Sequence, residues 1–207
     1  MILRNLTPAV AVMLGITMLF QVGCAGRSRT SRFYVLSPAA VPKLEMKNTS
    51  GGSSDISIAI SPVSLPKYLK KSQIVTRTGS NELHFAEYDR WAGKMEEDIG
   101  RVIAENMSRM LATDKVLLYP AMDEITADYT INITVIRFDG RLGGDVELIA
   151  RWAVSDGQGN SVYGIRTTHT VEHSNGRGYE DMVAAQSRAL AAFSREMAIF
   201  ITGLPGS

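Results

Sequence analysis

The chain has 207 residues, with 22 basic side chains against 21 acidic ones and 45% hydrophobic positions. So even a charge balance lacks the basic excess that a nucleic-acid binder needs. The single cysteine, Cys24, excludes an internal disulfide and any multi-cysteine zinc or iron–sulfur site.

Residues 1–23 read as a secretory leader. Arg4 supplies the positive end, an apolar run extends from about Ala9 to Phe20, and small residues precede Cys24. The run is short for a bilayer span, which sets the leader apart from an uncleaved anchor. Val22-Gly23-Cys24 resembles a lipobox, in which the leader is cut before the cysteine and the sulfur takes up a diacylglycerol. Gln21 departs from the pattern, where Leu is usual, and an ordinary cleaved leader with an incidental cysteine is the other alternative. Losing the leader removes one basic residue and leaves a formally neutral mature chain of about 184 residues, enough for one sizeable domain. Residues 24–32, small, polar and basic, read as a tether with weak attraction to anionic headgroups. Residues 33–207 read as one domain.

Arg32 to Leu36 form the first strand-like run, stopped at Ser37-Pro38. Ala39 to Asp55 contains Pro42 and a Ser/Gly/Asn-rich run too polar to order itself, and reads as an exposed loop. Ile56, Ile58 and Ile60 alternate with polar or small residues, which predicts a strand with one buried face. Gln73–Arg77 and Glu82–Phe85 flank Thr78-Gly79-Ser80-Asn81 as a hairpin.

From Asp89 to Leu111 the positions Trp91, Met95, Ile99, Val102, Ile103, Met107, Met110 and Leu111 share one helical face, with Asp89 as the expected N-cap. Val116 to Leu118 is a short buried strand. Three longer strands follow, carrying Tyr129, Ile131, Ile133 and Val135, then Val146, Leu148, Ala150, Trp152 and Val154, then Tyr163, Ile165 and Val171. Gly-rich turns at 139–144 and 156–160 join them as an antiparallel meander. A closing helix from about Tyr179 to Ile201 turns Met182, Val183, Ala189, Leu190, Phe193, Met197 and Phe200 to the core. The order predicts an α+β fold: a mostly antiparallel or mixed sheet with two amphipathic helices on one face.

Candidate chemistry is sparse. His169 and His173 project from one side of a strand while Glu172 points to the other, and no third ligand is marked by spacing. No Gly-x-Ser-x-Gly elbow is present. Glu96, Glu97 and Asp98 splay around a helix start and read as a solvated face. Gly143, Gly144, Gly157 and Gly159 lack the strand-to-helix setting of a phosphate loop. Met95, Met107, Met110, Met182 and Met197 fit a core, with a lipid-binding stripe as the alternative. No catalytic residue, metal or cofactor is expected.

Four motifs then carry a resemblance. They are Phe33-Tyr34-Val35-Leu36-Ser37-Pro38, the stretch from Ile60-Ser61-Pro62 through Leu65-Pro66-Lys67-Tyr68-Leu69, the run Gln73 to Leu83, and Tyr88-Asp89-Arg90-Trp91-Ala92. With Ile99-Gly100-Arg101-Val102 and Glu105-Asn106 after them, they resemble the ABC-type transport auxiliary lipoproteins in order and spacing. Gly93-Lys94-Met95 and Lys70-Lys71 depart from commoner residues of that family. The resemblance implies a non-enzymatic periplasmic subunit, lipid-anchored at Cys24, of a system that moves lipid between membranes. Its implied partners are an MCE-domain protein, an integral membrane permease and possibly further copies of itself. Ala25 stands where an Asp would favour inner-membrane retention, so the outer membrane is the expected address. Pro62, Leu65, Pro66, Tyr68, Arg77, Asn81, Arg90 and Trp91 are the candidate partner contacts. The alternatives are a lipid-binding module whose helix faces enclose an acyl chain and an envelope hydrolase using His84, His169 or His173.

Overall fold

The computed structural model describes residues 29–40, 44, 56–119 and 127–204. The expected leader, the lipobox-like Val22-Gly23-Cys24 and most of the expected 39–55 loop lie outside the described residues. The chain divides into two compact units, Met1–Thr30 and Ser31–Ser207. The second holds eight strands and two long helices among its described residues.

Strict alternation builds the central layer. β6 (Tyr129–Gly140) and β7 (Asp145–Asp156) bury every second residue, and β8 (Val162–His173) pairs antiparallel with β7. Gly143 makes the β6–β7 turn possible, since its φ of +70° suits a residue without Cβ. β2 (Ile58–Ile60) lies parallel to β6 on one side and to β5 (Val116–Leu118) on the other, giving a five-stranded sheet in the order β5-β2-β6-β7-β8. Ser61 to Ser64 continues along β6: the amides of Ser61 and Ser64 donate to the carbonyls of Ile131 and Ile133 at 2.9 and 3.0 Å.

Helix α1 (Met95–Leu111) and helix α2 (Tyr179–Ile201) pack against each other, and α2 packs on β7 and β8. Their expected apolar positions are buried, the five methionines among them, except Phe200, which is partly buried and packs against the core, so these faces are spent on the core. Trp152 is clamped there. Its indole N–H donates to Thr168 Oγ1 at 2.9 Å, and Phe200 meets its ring edge-on at 5.4 Å. Gly164 lies under Phe200, where an added Cβ would come within 2.7 Å of the ring.

The α+β class with two long helices is as expected, and two details are corrected. The chain builds two sheets rather than one: β1 (Arg32–Tyr34), β4 (Leu83–Trp91) and β3 (Gln73–Arg77) form a separate three-stranded sheet in the order β1-β4-β3, with β1 parallel to β4. Asp89 is not a helix cap, because β4 runs on to Trp91 and α1 begins at Met95. Asp89 is buried and accepts hydrogen bonds from Tyr34 Oη and Arg32 Nη2, each at 2.8 Å. Tyr163, Ile165 and Val171 share one face of β8, and that face is exposed, because α2 covers the other side, where Thr168 meets Trp152.

Candidate functional site

The motif residues gather at the seam between the two sheets. A 3-10 turn at Lys67–Lys70 follows Pro66, whose fixed φ starts the turn, and presents Tyr68 to the end of β6. There Asp139 is fully buried. Tyr68 Oη donates to its Oδ2 at 2.8 Å. Arg77, from β3, grips both oxygens, Nε to Oδ1 at 2.8 Å and Nη2 to Oδ2 at 3.0 Å. Arg137 Nε adds a bond to Oδ1 at 3.0 Å, and its Nη1 reaches Glu147 Oε2 at 2.8 Å.

One carboxylate thus joins the 3-10 turn, the small sheet and the large sheet. Burial pushes its pKa up, but the hydrogen bonds from Arg77, Tyr68 and Arg137 outweigh that and hold it below the ordinary value of 3.8. Burial and the same bond push the Tyr68 phenol well up. The bond to Asp139 raises Arg77. Four hydrogen bonds satisfy a charge that would otherwise be costly to bury.

A second seam of this kind holds β1. Asp98 Oδ2 accepts the Leu36 amide at 2.7 Å, and Arg101, which also pairs with Asp98, donates to the Leu36 carbonyl at 2.7 Å. Burial, then the bond to Asp89, pushes the Tyr34 phenol up to about 12.

The candidate contact residues therefore divide. Tyr68 and Arg77 are ties to Asp139. Leu65 and Trp91 belong to the core, and the Trp91 amide donates to the Ser72 carbonyl at 2.7 Å. Arg90 is half-buried, with a buried Nε that has no hydrogen-bond partner among the described residues. Pro66 is half-buried, whereas Pro62 and Asn81 are exposed. Beside Pro62 is an apolar notch of about 140 Å3, lined by Ile60, Val63, Gly100, Leu118 and Tyr119, with Glu96 and Glu97 at its rim. Asp139 escaped sequence reasoning, which took it for a turn residue. The signal was an Asp at the end of an alternating strand, facing two long polar side chains that needed a partner.

The histidines do not assemble a reaction centre. His84 is exposed on β4, His169 Nε2 lies 3.5 Å from Glu147, and His173 Nδ1 lies 2.8 Å from Asp145. Glu172 turns to Arg188 Nε on α2, at 3.1 Å. Among the described residues no group of three or more His, Cys, Asp or Glu side chains is placed to hold a metal ion, and no helix is long and apolar enough to cross a membrane.

Comparison with known proteins agrees with the motifs. The intermembrane transport lipoprotein PqiC of Escherichia coli K12 is 24% identical over 191 residues, spanning 92% of this chain and 96% of that one, and its Shigella flexneri counterpart matches equally. The crystal structure of an uncharacterized protein, 24% identical, superposes with a TM-score of 0.68 over 84% of this chain and 99% of its own. A Xanthomonas campestris structure at 17% identity gives the same TM-score over 84% and 97%, so the fold is shared. The family model described as the ABC-type transport auxiliary lipoprotein component matches residues 34–198. Its match begins at Tyr34, in the first motif, and runs into α2, and the chain belongs to that family.

Proposed function

We propose that this chain is a non-enzymatic subunit of an ABC/MCE-type intermembrane lipid transport system, lipidated at Cys24, facing the periplasm from the outer membrane and docking the MCE-domain component there. Family membership supports the transport role. The docking role rests on the notch beside Pro62: a rigid apolar socket, walled by β2, β5 and α1, with Tyr119 56% exposed at its edge. Such a socket accepts an apolar side chain of a partner, and its acidic rim favours a basic neighbour. The rival reading, helix faces enclosing an acyl chain, is disfavoured because those faces are packed against the sheet and each other.

Detergent extraction of membranes and capture of the tagged chain should bring down an MCE-domain protein and its permease. Tyr119→Asp should reduce the recovered MCE-domain protein about tenfold, as loss of an apolar anchor does. Capture of neither partner by the unaltered chain would overturn the docking role. Cys24→Ser should move the folded domain from the membrane to the soluble fraction, and a variant that stayed at the outer membrane would refute the anchor.

A further inference from the structure

β1 leads into an open groove of about 770 Å3 between the Arg32–Ala39 segment and the first half of α2. Strand alternation splits β1 in two. Tyr34 turns inward to Asp89, whereas Phe33 and Val35, two residues apart, are 65% and 54% exposed. Both line the groove, and Pro38 and Ala39 continue the apolar strip. Phe33, Val35, Pro38 and Ala39 thus line one groove as a contiguous apolar strip, the kind of surface that marks a contact site.

The chain's own length says what that contact is. Phe33 lies nine residues after Cys24, a span of at most about 30 Å however the segment runs. A patch so tethered stays within reach of the bilayer that carries the lipid. Charges at the rim are balanced, Arg32 and Arg188 against Glu180 and Asp181, and both arginines already hold acidic partners, Asp89 and Glu172. Contact is therefore driven by apolar insertion rather than by anionic headgroups.

We infer that Phe33 and Val35 insert into the interface of the bilayer bearing the lipidated cysteine. The acyl chains hold the protein; the patch fixes its tilt, so that the rest of the domain faces away from that membrane in one orientation. This inference rests on lipidation at Cys24, which forms part of the function proposed above.

The test uses the full lipoprotein carrying Phe33→Trp, in vesicles of phosphatidylethanolamine and phosphatidylglycerol with or without brominated acyl chains. The native Trp91 and Trp152 are buried and give a constant background. Brominated lipid should quench the introduced emission about twofold, as interfacial burial requires, and added salt should not reverse it. The same substitution at Ile165, exposed on β8, should be unaffected, and adding Val35→Asp to Phe33→Trp should restore the emission. Equal emission from position 33 in both kinds of vesicle overturns the inference while leaving the anchor intact. A purified mass without acyl chains removes the anchor and the inference together. Shielding of position 33 from iodide in the Cys24→Ser protein, with no bilayer present, means that a second copy covers the patch and also overturns it.

Discussion

The two sheets share one apolar core but differ in what is added to it. The five-stranded sheet buries the apolar face of β6 and β7 beneath the helices, with Trp152 and Phe138 of the sheet and Phe193 of α2 among the largest buried side chains. The three-stranded sheet is fastened through carboxylates: Asp139 takes Arg77 and Tyr68, Asp89 takes Arg32 and Tyr34, and Asp98 takes the Leu36 amide. Apolar packing is tolerant of which residue supplies the volume. Bidentate and shared hydrogen bonds demand particular atoms at particular places. The family motifs, with their Tyr, Arg and Asp residues, accordingly fall on the small sheet and its seams.

Substitutions separate the two kinds of cohesion. Phe193→Ala, in the apolar layer, should cost about 4 kcal/mol of unfolding free energy, measured by urea denaturation. It should do so equally at neutral and mildly acidic pH. Asp139→Asn should cost about 3 kcal/mol, because it replaces the buried carboxylate to which Arg77, Arg137 and Tyr68 donate by a neutral amide with one acceptor oxygen.

The Asp139 effect also depends on pH. Its folded pKa lies below the ordinary value, so its contribution is complete above about pH 4 and is lost as pH falls through the depressed folded value. Asp139→Asn should flatten that stretch of the stability curve, and an unchanged acid limb would show that the seam does not set acid sensitivity. Asn81→Ala, in the exposed hairpin turn, should change stability by less than about 0.5 kcal/mol. A larger loss would make the turn part of the seam rather than free surface.

The legible parts of the fold were those with a regular period. The helical spacing from Met95 to Leu111 and from Met182 to Phe200, and the alternation in β6 and β7, pointed to the core that the structure contains. β4 was misread past Phe85, since Glu87 and Asp89 break the apolar alternation and a helix starts soon after. Burial at Asp89 comes from Arg32 and Tyr34, more than fifty residues earlier, and no local pattern encodes that. β8 is legible as a strand, but which of its faces is covered is not: its apolar side faces outward, and its covered side carries Thr168, whose hydroxyl accepts from the Trp152 indole. At the candidate site, Tyr68 and Arg77 were found by motif but given an external role. The carboxylate they serve is over sixty residues further along the chain.

The pairing order also governs how the chain comes together as it is made. β1 needs β4, with Arg32 opposite Asp89, and β2 needs both Val116 and Tyr129 beside Ile58. The Ser37 amide waits longer still, for Ser187 Oγ at 3.2 Å on α2. The strand made first in the domain thus waits for β4, and the segment that follows it completes its contacts only once α2 has been made. Removing the whole of α2 should take away the Ser187 acceptor of the Ser37 amide while leaving β1 paired with β4.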